Sequence, residues 1–242
     1  MRLAIISDIH GNDIALRAVL DDIIKSGVDL IVCLGDVATL GVSPEVCMEM
    51  LRELDCMFVM GNHDEFLLTP DLIKTYITQP VIVDSVSWCR DRLVKDHFAL
   101  LRSFKQSIEI NLDGAGALLC VHGSPRSHMD NVLSITPPDD LDALFEGHDA
   151  AFVACGHTHI QMLRQHRGRL FVNPGSVGCP IREYALGKVP VILHHAEYAV
   201  VEAVNGTVSA VMKRLPIDKT EMYRSVEASD IPLRGYLMHV YS

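Results

Sequence analysis

Five short apolar runs in this chain each end in a polar cluster: Asp8-Ile9-His10-Gly11-Asn12, Gly35-Asp36, Gly61-Asn62-His63-Asp64, His122-Gly123 and Gly156-His157-Thr158-His159. The runs ahead of them (residues 3–6, 30–34, 57–60, 117–121 and 151–155) have the length and composition of buried strands. Helical patterns separate the first three. Leu16, Val19, Leu20, Ile23 and Ile24 follow helical spacing and stop at Gly27. Cys47, Met50, Leu51 and Leu54 form a second stripe after Ser43-Pro44, which offers an N-cap and an N1 proline. This βαβαβ rhythm requires a parallel sheet covered by helices. Polar groups at the carboxyl ends of such strands gather on one edge, so residues far apart in sequence are expected to meet there.

The rhythm breaks at Phe66. From there to Asn111 the chain reads as a helical insert (residues 66–111), with Val86, Cys89, Leu93, Leu100 and Phe104 on one face of a helix beginning near Ser85. Farther on, Thr136-Pro137 caps a helix carrying Leu141, Leu144 and Phe145. His166-Arg167-Gly168-Arg169 is a hairpin turn between residues 161–165 and 170–173, and residues 191–193 could add a strand. Asn205-Gly206, between residues 199–204 and 207–212, is the strongest hairpin signal in the chain. The first half is thus predicted parallel and the second antiparallel, and the last dozen residues show no pattern. The length of 242 residues suits a single α/β domain with an insert.

In extended chain, side chains two apart point the same way, so Asp8 with His10, and His157 with His159, can each present two donors to one side. The clusters hold three carboxylates, two carboxamides and five histidines. Oxygen and imidazole donors without thiolate suit borderline divalent ions: Mn, Fe, Zn, Co or Ni. Taken singly, D-x-H or G-N-H-D is more often a turn or a cap than a ligand pair, while G-H-x-H is more specific for metal. Together, each after its own strand, they point to one metal site. The seven cysteines are odd in number and lack a C-x-x-C, which predicts reduced thiols and a cytoplasmic location. Asp8 and His10 interrupt the apolar start too early for a secretory signal, and no later run approaches a membrane span. A formal charge of −10 disfavours long nucleic acid and anionic membranes as partners.

With its motifs in this order, the chain resembles the calcineurin-like metallophosphoesterases over residues 8 to 159. The segment Asn173-Pro174-Gly175-Ser176-Val177-Gly178 is similar to that of their small bacterial and archaeal phosphodiesterase branch. The resemblance implies a four-layer α/β/β/α sandwich around a dinuclear centre. Asp8, His10 and His159 would hold one ion and Asn62, His122 and His157 the other, with Asp36 bridging. Manganese is the favoured metal, with Fe, Zn, Ni or Co as alternatives. A hydroxide between the ions would attack phosphorus in line, His63 would act on the leaving oxygen, and Asp64 would orient the His63 ring.

The function implied is hydrolysis of a small phosphodiester. A phosphomonoesterase, or a dinucleoside-polyphosphate or protein phosphatase, is the alternative. Against the latter two, Gly35-Asp36-Val37-Ala38-Thr39-Leu40-Gly41 lacks the Asp-Arg pair of their G-D-x-V-D-R-G. A non-catalytic scaffold is the reading from another class, opposed by competent residues at every position. Asn12 could contact phosphate or cap a helix. Arg126 and Arg182 could grip phosphate, though solvated surface arginines are the better reading. Relatives often carry G-Q-P-R after the N-P-G-S-V segment, where this chain has Gly178-Cys179-Pro180-Ile181-Arg182. The insert is expected either to cap the metals and limit substrate size or merely to complete the outer layer. A homodimer through exposed hairpin edges is a further expectation.

Overall fold

The structure is a computed structural model that describes residues 1–112, 114–184 and 189–242. Strands β1 (Arg2–Ile6), β2 (Leu30–Cys33) and β3 (Cys56–Phe58) pair in parallel, with Leu3 opposite Leu30 and Ile31 opposite Cys56. Helix α1 (Asp13–Ser26) starts where Asn12 Oδ1 accepts the Ala15 N–H at 3.0 Å, and it ends at Gly27, whose φ of 61° is left-handed. Helix α2 (Pro44–Arg52) begins on its N1 proline; the Ser43 side chain makes no capping bond.

The segment after β3 carries α3 (Asn62–Leu68), a 3-10 turn (Pro70–Leu72), α4 (Ile73–Tyr76), α5 (Pro80–Asp91) and α6 (Lys95–Ser103). The single helix expected from Ser85 is therefore two. Val94 is extended, and its N–H is taken by His97 Nδ1 at 3.3 Å, which opens a new helix and splits the apolar stripe between α5 and α6. The end of the 66–111 segment is not helical, because Ile108–Asn111 forms β4. The remaining elements are β5 (Ala117–Cys120), α7 (Pro138–Leu144), β6 (Phe152–Ala154), β7 (Met162–His166), β8 (Arg169–Asn173), β9 (His195–Val204), β10 (Thr207–Pro216), α8 (Lys219–Ala228) and α9 (Arg234–Tyr241).

Two five-stranded sheets result, in the orders β10-β9-β1-β2-β3 and β4-β5-β6-β8-β7. Both are mixed, which corrects the expected division into a parallel and an antiparallel half. The Asn205-Gly206 turn fixes only the β9–β10 pair. β9 is buried on both faces, so it takes an interior place antiparallel to β1, with Leu3 opposite Val201. In the second sheet β5, β6 and β8 run parallel. Residues 191–193 form no strand; a lone bridge joins Ile181 and Ile192.

Period-two alternation builds the layers. Leu3, Ile5, Val32 and Leu34 meet Ile108, Ile110, Leu118 and Cys120 between the sheets. Ala4, Ile6 and Cys33 face Leu16, Val19, Cys47 and Leu51 of the first helical layer. On the far side Leu141, Leu144 and Phe145 cover Leu119, Val153 and Phe171. The order is helix, sheet, sheet, helix, as expected. The C-terminal helices were not foreseen: Met222, Val226, Leu237 and Tyr241 pack on Ile14 of α1 and Cys89 of α5. A clasp adds to this contact. Trp88 Nε1 donates to Asp230 Oδ1 at 2.8 Å, and Arg92 lies over the Trp88 ring while pairing with the same oxygen. Among the described residues, no helix is long and apolar enough to cross a membrane.

Candidate metal centre

The carboxyl ends of β1, β2, β5 and β6, with the N-terminus of α3 after β3, deliver their polar residues to one edge of the sandwich. Donor atoms of Asp8, His10, Asp36 and His159 lie within 4.8 Å of one another, and so do those of Asp36, His122 and His157. Asn62 Oδ1 joins the second group, 3.1 Å from His122 Nε2. The two groups share Asp36. All seven residues singled out in the sequence as metal donors are thus brought together.

The local geometry differs from the extended chain assumed above. Asp8, His10, Asp36, His157 and His159 have φ of 55°, 47°, 58°, 64° and 57°, all left-handed. Asp and His tolerate this region better than most residues, but each such site still costs about 1–3 kcal/mol unless its surroundings enforce it. Here they do. The Asp8 N–H donates to Gly35 O at 2.9 Å and the His10 N–H to Asp36 O at 3.0 Å. Ser176 Oγ and the Gly178 N–H both donate to Asp8 O, at 2.6 and 3.1 Å. The His157 N–H donates to Asp8 Oδ2 at 3.1 Å, and Asn173 Nδ2 to Gly156 O at 2.8 Å. The Asn173–Gly178 segment is therefore a buckle joining the Asp8 and His157 turns. Close approach explains its last glycine, since a Cβ on Gly178 would stand 1.8 Å from Ile9 O.

The ring nitrogens define the electrostatics. His122 Nδ1 donates to Leu34 O and His159 Nδ1 to Cys179 O, each at 2.7 Å. A carbonyl only accepts, so in each ring Nδ1 carries a proton and Nε2, the nitrogen left to take a cation or a second proton, turns inward. There each nitrogen faces other acceptors. His122 Nε2 is 3.1 Å from Asn62 Oδ1 and 3.4 Å from Asp36 Oδ2. His159 Nε2 is 3.2 Å from Asp8 Oδ1 and 3.1 Å from His10 Nε2. Asp8 Oδ1 is buried without a hydrogen-bond partner.

Positive charge is what this arrangement demands. Burial opposes a charge on His122, yet Asp36 and Asp8 outweigh it and hold the imidazole up to about 9. His159 is likewise buried but lifted well above its usual range by Asp8. Burial, with the neighbouring His159 and His122 charges, pushes His10 and His157 down to about 3. A buried set of carboxylate, amide and imidazole donors facing inward fits divalent cations.

His63 lies beside the donors and outside both groups. Its ring is edge-on to His10 at 5.1 Å and to Phe66 at 5.2 Å, and burial keeps its imidazole below the ordinary range. Its Nδ1 has no hydrogen-bond partner, so Asp64 does not orient the ring as expected. Instead Asp64 turns back over the α3 N-terminus and accepts the N–H groups of Asp36, Val37 and Gly61 at 2.8, 2.9 and 3.0 Å. It fixes the loops that carry Asp36 and Asn62. Asn12 is a cap, and its Nδ2 donates to Gly178 O. Arg126 pairs with Asp130 at 3.3 Å and Arg182 with Glu183 at 3.1 Å, both arginines being more than half exposed.

Two features of the site escaped the sequence. Tyr76, from the insert, places its hydroxyl 3.4 Å from His157 Nε2. A cleft of about 190 Å³ also opens beside Thr158, lined by Val132, Leu133, Ile135, Ile160, Met162 and Tyr184.

A carboxylate and imidazole cluster on the edge of an α/β/β/α sandwich defines a class, the metal-dependent phosphoesterases. Residues 1–211 match the calcineurin-like phosphoesterase superfamily domain, and the chain belongs to that superfamily. Within it, the chain is 33% identical over 193 residues to an uncharacterised protein of Methanocaldococcus jannaschii, covering 74% of this chain and 76% of that one. A metallophosphoesterase from Sphaerobacter thermophilus superposes with a TM-score of 0.75 at 25% identity, over 100% of this chain and 98% of its own. A hypothetical protein from Pyrococcus horikoshii shares the fold at a TM-score of 0.78 and 18% identity, over 99% and 97% of the two chains. Superfamily membership and the donor cluster support a metal-dependent phosphoester hydrolase.

Proposed function

We propose that the protein hydrolyses a small phosphodiester with two divalent ions. The observation that carries this reading is the pair of inward-turned imidazole nitrogens, His122 Nε2 and His159 Nε2, each facing acceptors in its own donor group with Asp36 common to both. Asp8, His10 and His159 would hold one ion and Asn62, His122 and His157 the other, with Asp36 within reach of both. Ions so held supply Lewis-acid polarisation of the phosphoryl group and an activated water. Manganese suits the mixed oxygen and nitrogen donors, as do Fe, Zn, Ni and Co. Burial keeps His63 neutral, so its ring offers one N–H donor and one acceptor beside the donors, the equipment for moving a proton at the leaving oxygen.

The diester preference is supported by the Asn173–Gly178 segment, which is similar to that of the small phosphodiesterase branch. The −10 charge of the chain favours compact substrates over long polyanions.

The test is to strip the purified protein with chelator, reload it with Mn²⁺, count the metal and compare an aryl phosphodiester with its monoester. The expected result is two ions per chain, faster turnover of the diester, and loss of metal in Asp36→Asn. One ion per chain, or equal turnover by the stripped protein, refutes the reading. Full loading without turnover of any ester in a nucleotide and aryl panel replaces it with a non-catalytic scaffold.

A further inference from the structure

The insert reaches the donors through one polar side chain. Tyr76 closes α4, and its hydroxyl lies 3.4 Å from His157 Nε2, with 6.2 Å between the ring centroids. Phe66 of α3 flanks the phenol ring at 6.0 Å and the His63 ring at 5.2 Å, so the phenol and the His63 imidazole stand on either side of one aromatic wall. The Tyr76 side chain is 42% exposed, less buried than a tyrosine kept for packing. Among the described residues, that histidine nitrogen is the hydroxyl's one hydrogen-bond partner.

An imidazole Nε2 has a single lone pair. A cation that takes it removes the acceptor from the phenol, which is protonated at neutral pH and must then donate elsewhere. Among the described residues, no carbonyl or carboxylate oxygen is hydrogen-bonded to it. On the phosphoester-hydrolase reading, the group brought to the donors is itself rich in oxygen acceptors. We propose that Tyr76 is a substrate-contacting residue whose hydroxyl donates to a non-bridging phosphoryl oxygen of the ester, giving the insert a direct part in binding the transferred group. This rests on the phosphoester-hydrolase reading above and extends it to a residue outside the metal donors.

Tyr76→Phe tests it, since the substitution removes one oxygen from a half-exposed ring and leaves the packing on Phe66. Mn²⁺ affinity and stoichiometry are measured by calorimetry and elemental analysis. Affinity of the loaded protein for inorganic phosphate is measured by calorimetry, and KM and kcat are measured with an aryl phosphodiester. The expected result is unchanged metal binding with phosphate affinity weakened roughly tenfold or more and KM raised in step, the loss of one hydrogen bond to a charged group. Unchanged phosphate affinity and KM would overturn the proposal. So would weakened Mn²⁺ binding, because Tyr76 would then act by positioning His157. Wild-type protein that is fully loaded yet neither binds phosphate nor turns over ester counts against the hydrolase reading itself, a result separable from either of the others.

Discussion

Asp64→Asn separates a structural from a catalytic role for a residue beside His63. The Asp64 carboxylate receives three backbone N–H groups, from Asp36, Val37 and Gly61. An asparagine can keep its oxygen on the Asp36 and Gly61 amides, which share Oδ2, but each bond falls from charge-assisted to neutral, a loss of about 1 kcal/mol apiece. Its NH2 then faces the Val37 N–H, donor against donor, leaving a buried amide unsatisfied at about 1–3 kcal/mol. Part of this is offset, because burial and the Asp36 charge push the Asp64 carboxyl up to about 7, and the neutral amide escapes both. A net destabilisation of about 2–4 kcal/mol corresponds to a fall of roughly 5–15 °C in Tm for a chain of this size. Thermal melts and metal analysis are the assay. The expected result is a lowered Tm together with reduced Mn²⁺ content, since the loops bearing Asp36 and Asn62 lose their common anchor. A Tm within about 2 °C of wild type, full metal content and lowered kcat would refute this and restore the ring-orienting role.

Mn²⁺ binding should expel about two protons at neutral pH, from His122 and His159. Both imidazoles are raised, so their charge stabilises the metal-free fold fully below about 6.5, and the His122 share is lost as pH rises through about 9. Metal affinity accordingly climbs with pH up to about 9, and calorimetry in buffers of different ionisation heat that shows no proton release would contradict it. Ser176→Ala removes the 2.6 Å bond to Asp8 O and the acceptor of the Cys179 N–H, and should weaken Mn²⁺ affinity about tenfold; unchanged affinity in a metal titration would show that the buckle is dispensable. Arg126→Ala and Arg182→Ala should leave kcat/KM within about twofold, as surface ion pairs contribute little; a tenfold loss in either would mean that the guanidinium reaches substrate.

The donors were legible because each closes an apolar run, and a parallel sheet has only one edge at which such ends can gather. Their backbone was not. The i, i+2 argument pairs Asp8 with His10 as the structure does, but His157 and His159 fall in different donor groups, and the side chains converge through left-handed turns past the strand ends. Asp64 was misassigned because adjacency to His63 says nothing of direction. At the third position of α3 a carboxylate naturally folds back to the helix start, a signal present in Gly61-Asn62-His63-Asp64 and outweighed by the family pattern. The stripe of Val86, Cys89, Leu93, Leu100 and Phe104 fits one helix or two, and only the extended Val94 decides. The place of β9 beside β1, and of Tyr76 beside His157, depends on contacts more than eighty residues apart, which no local period encodes.

The C-terminal helices α8 and α9 lie beyond residue 211, where the superfamily domain ends, yet they grip the insert. Through Trp88, Arg92 and Asp230, and through the apolar contact of Met222 and Leu237 with Cys89, they brace α5, which follows closely on the helix that carries Tyr76. Sequence change in this tail can therefore re-aim the insert over the donors while the donor residues themselves stay as they are, giving a lineage a way to alter what enters the site without rebuilding the cluster beneath it.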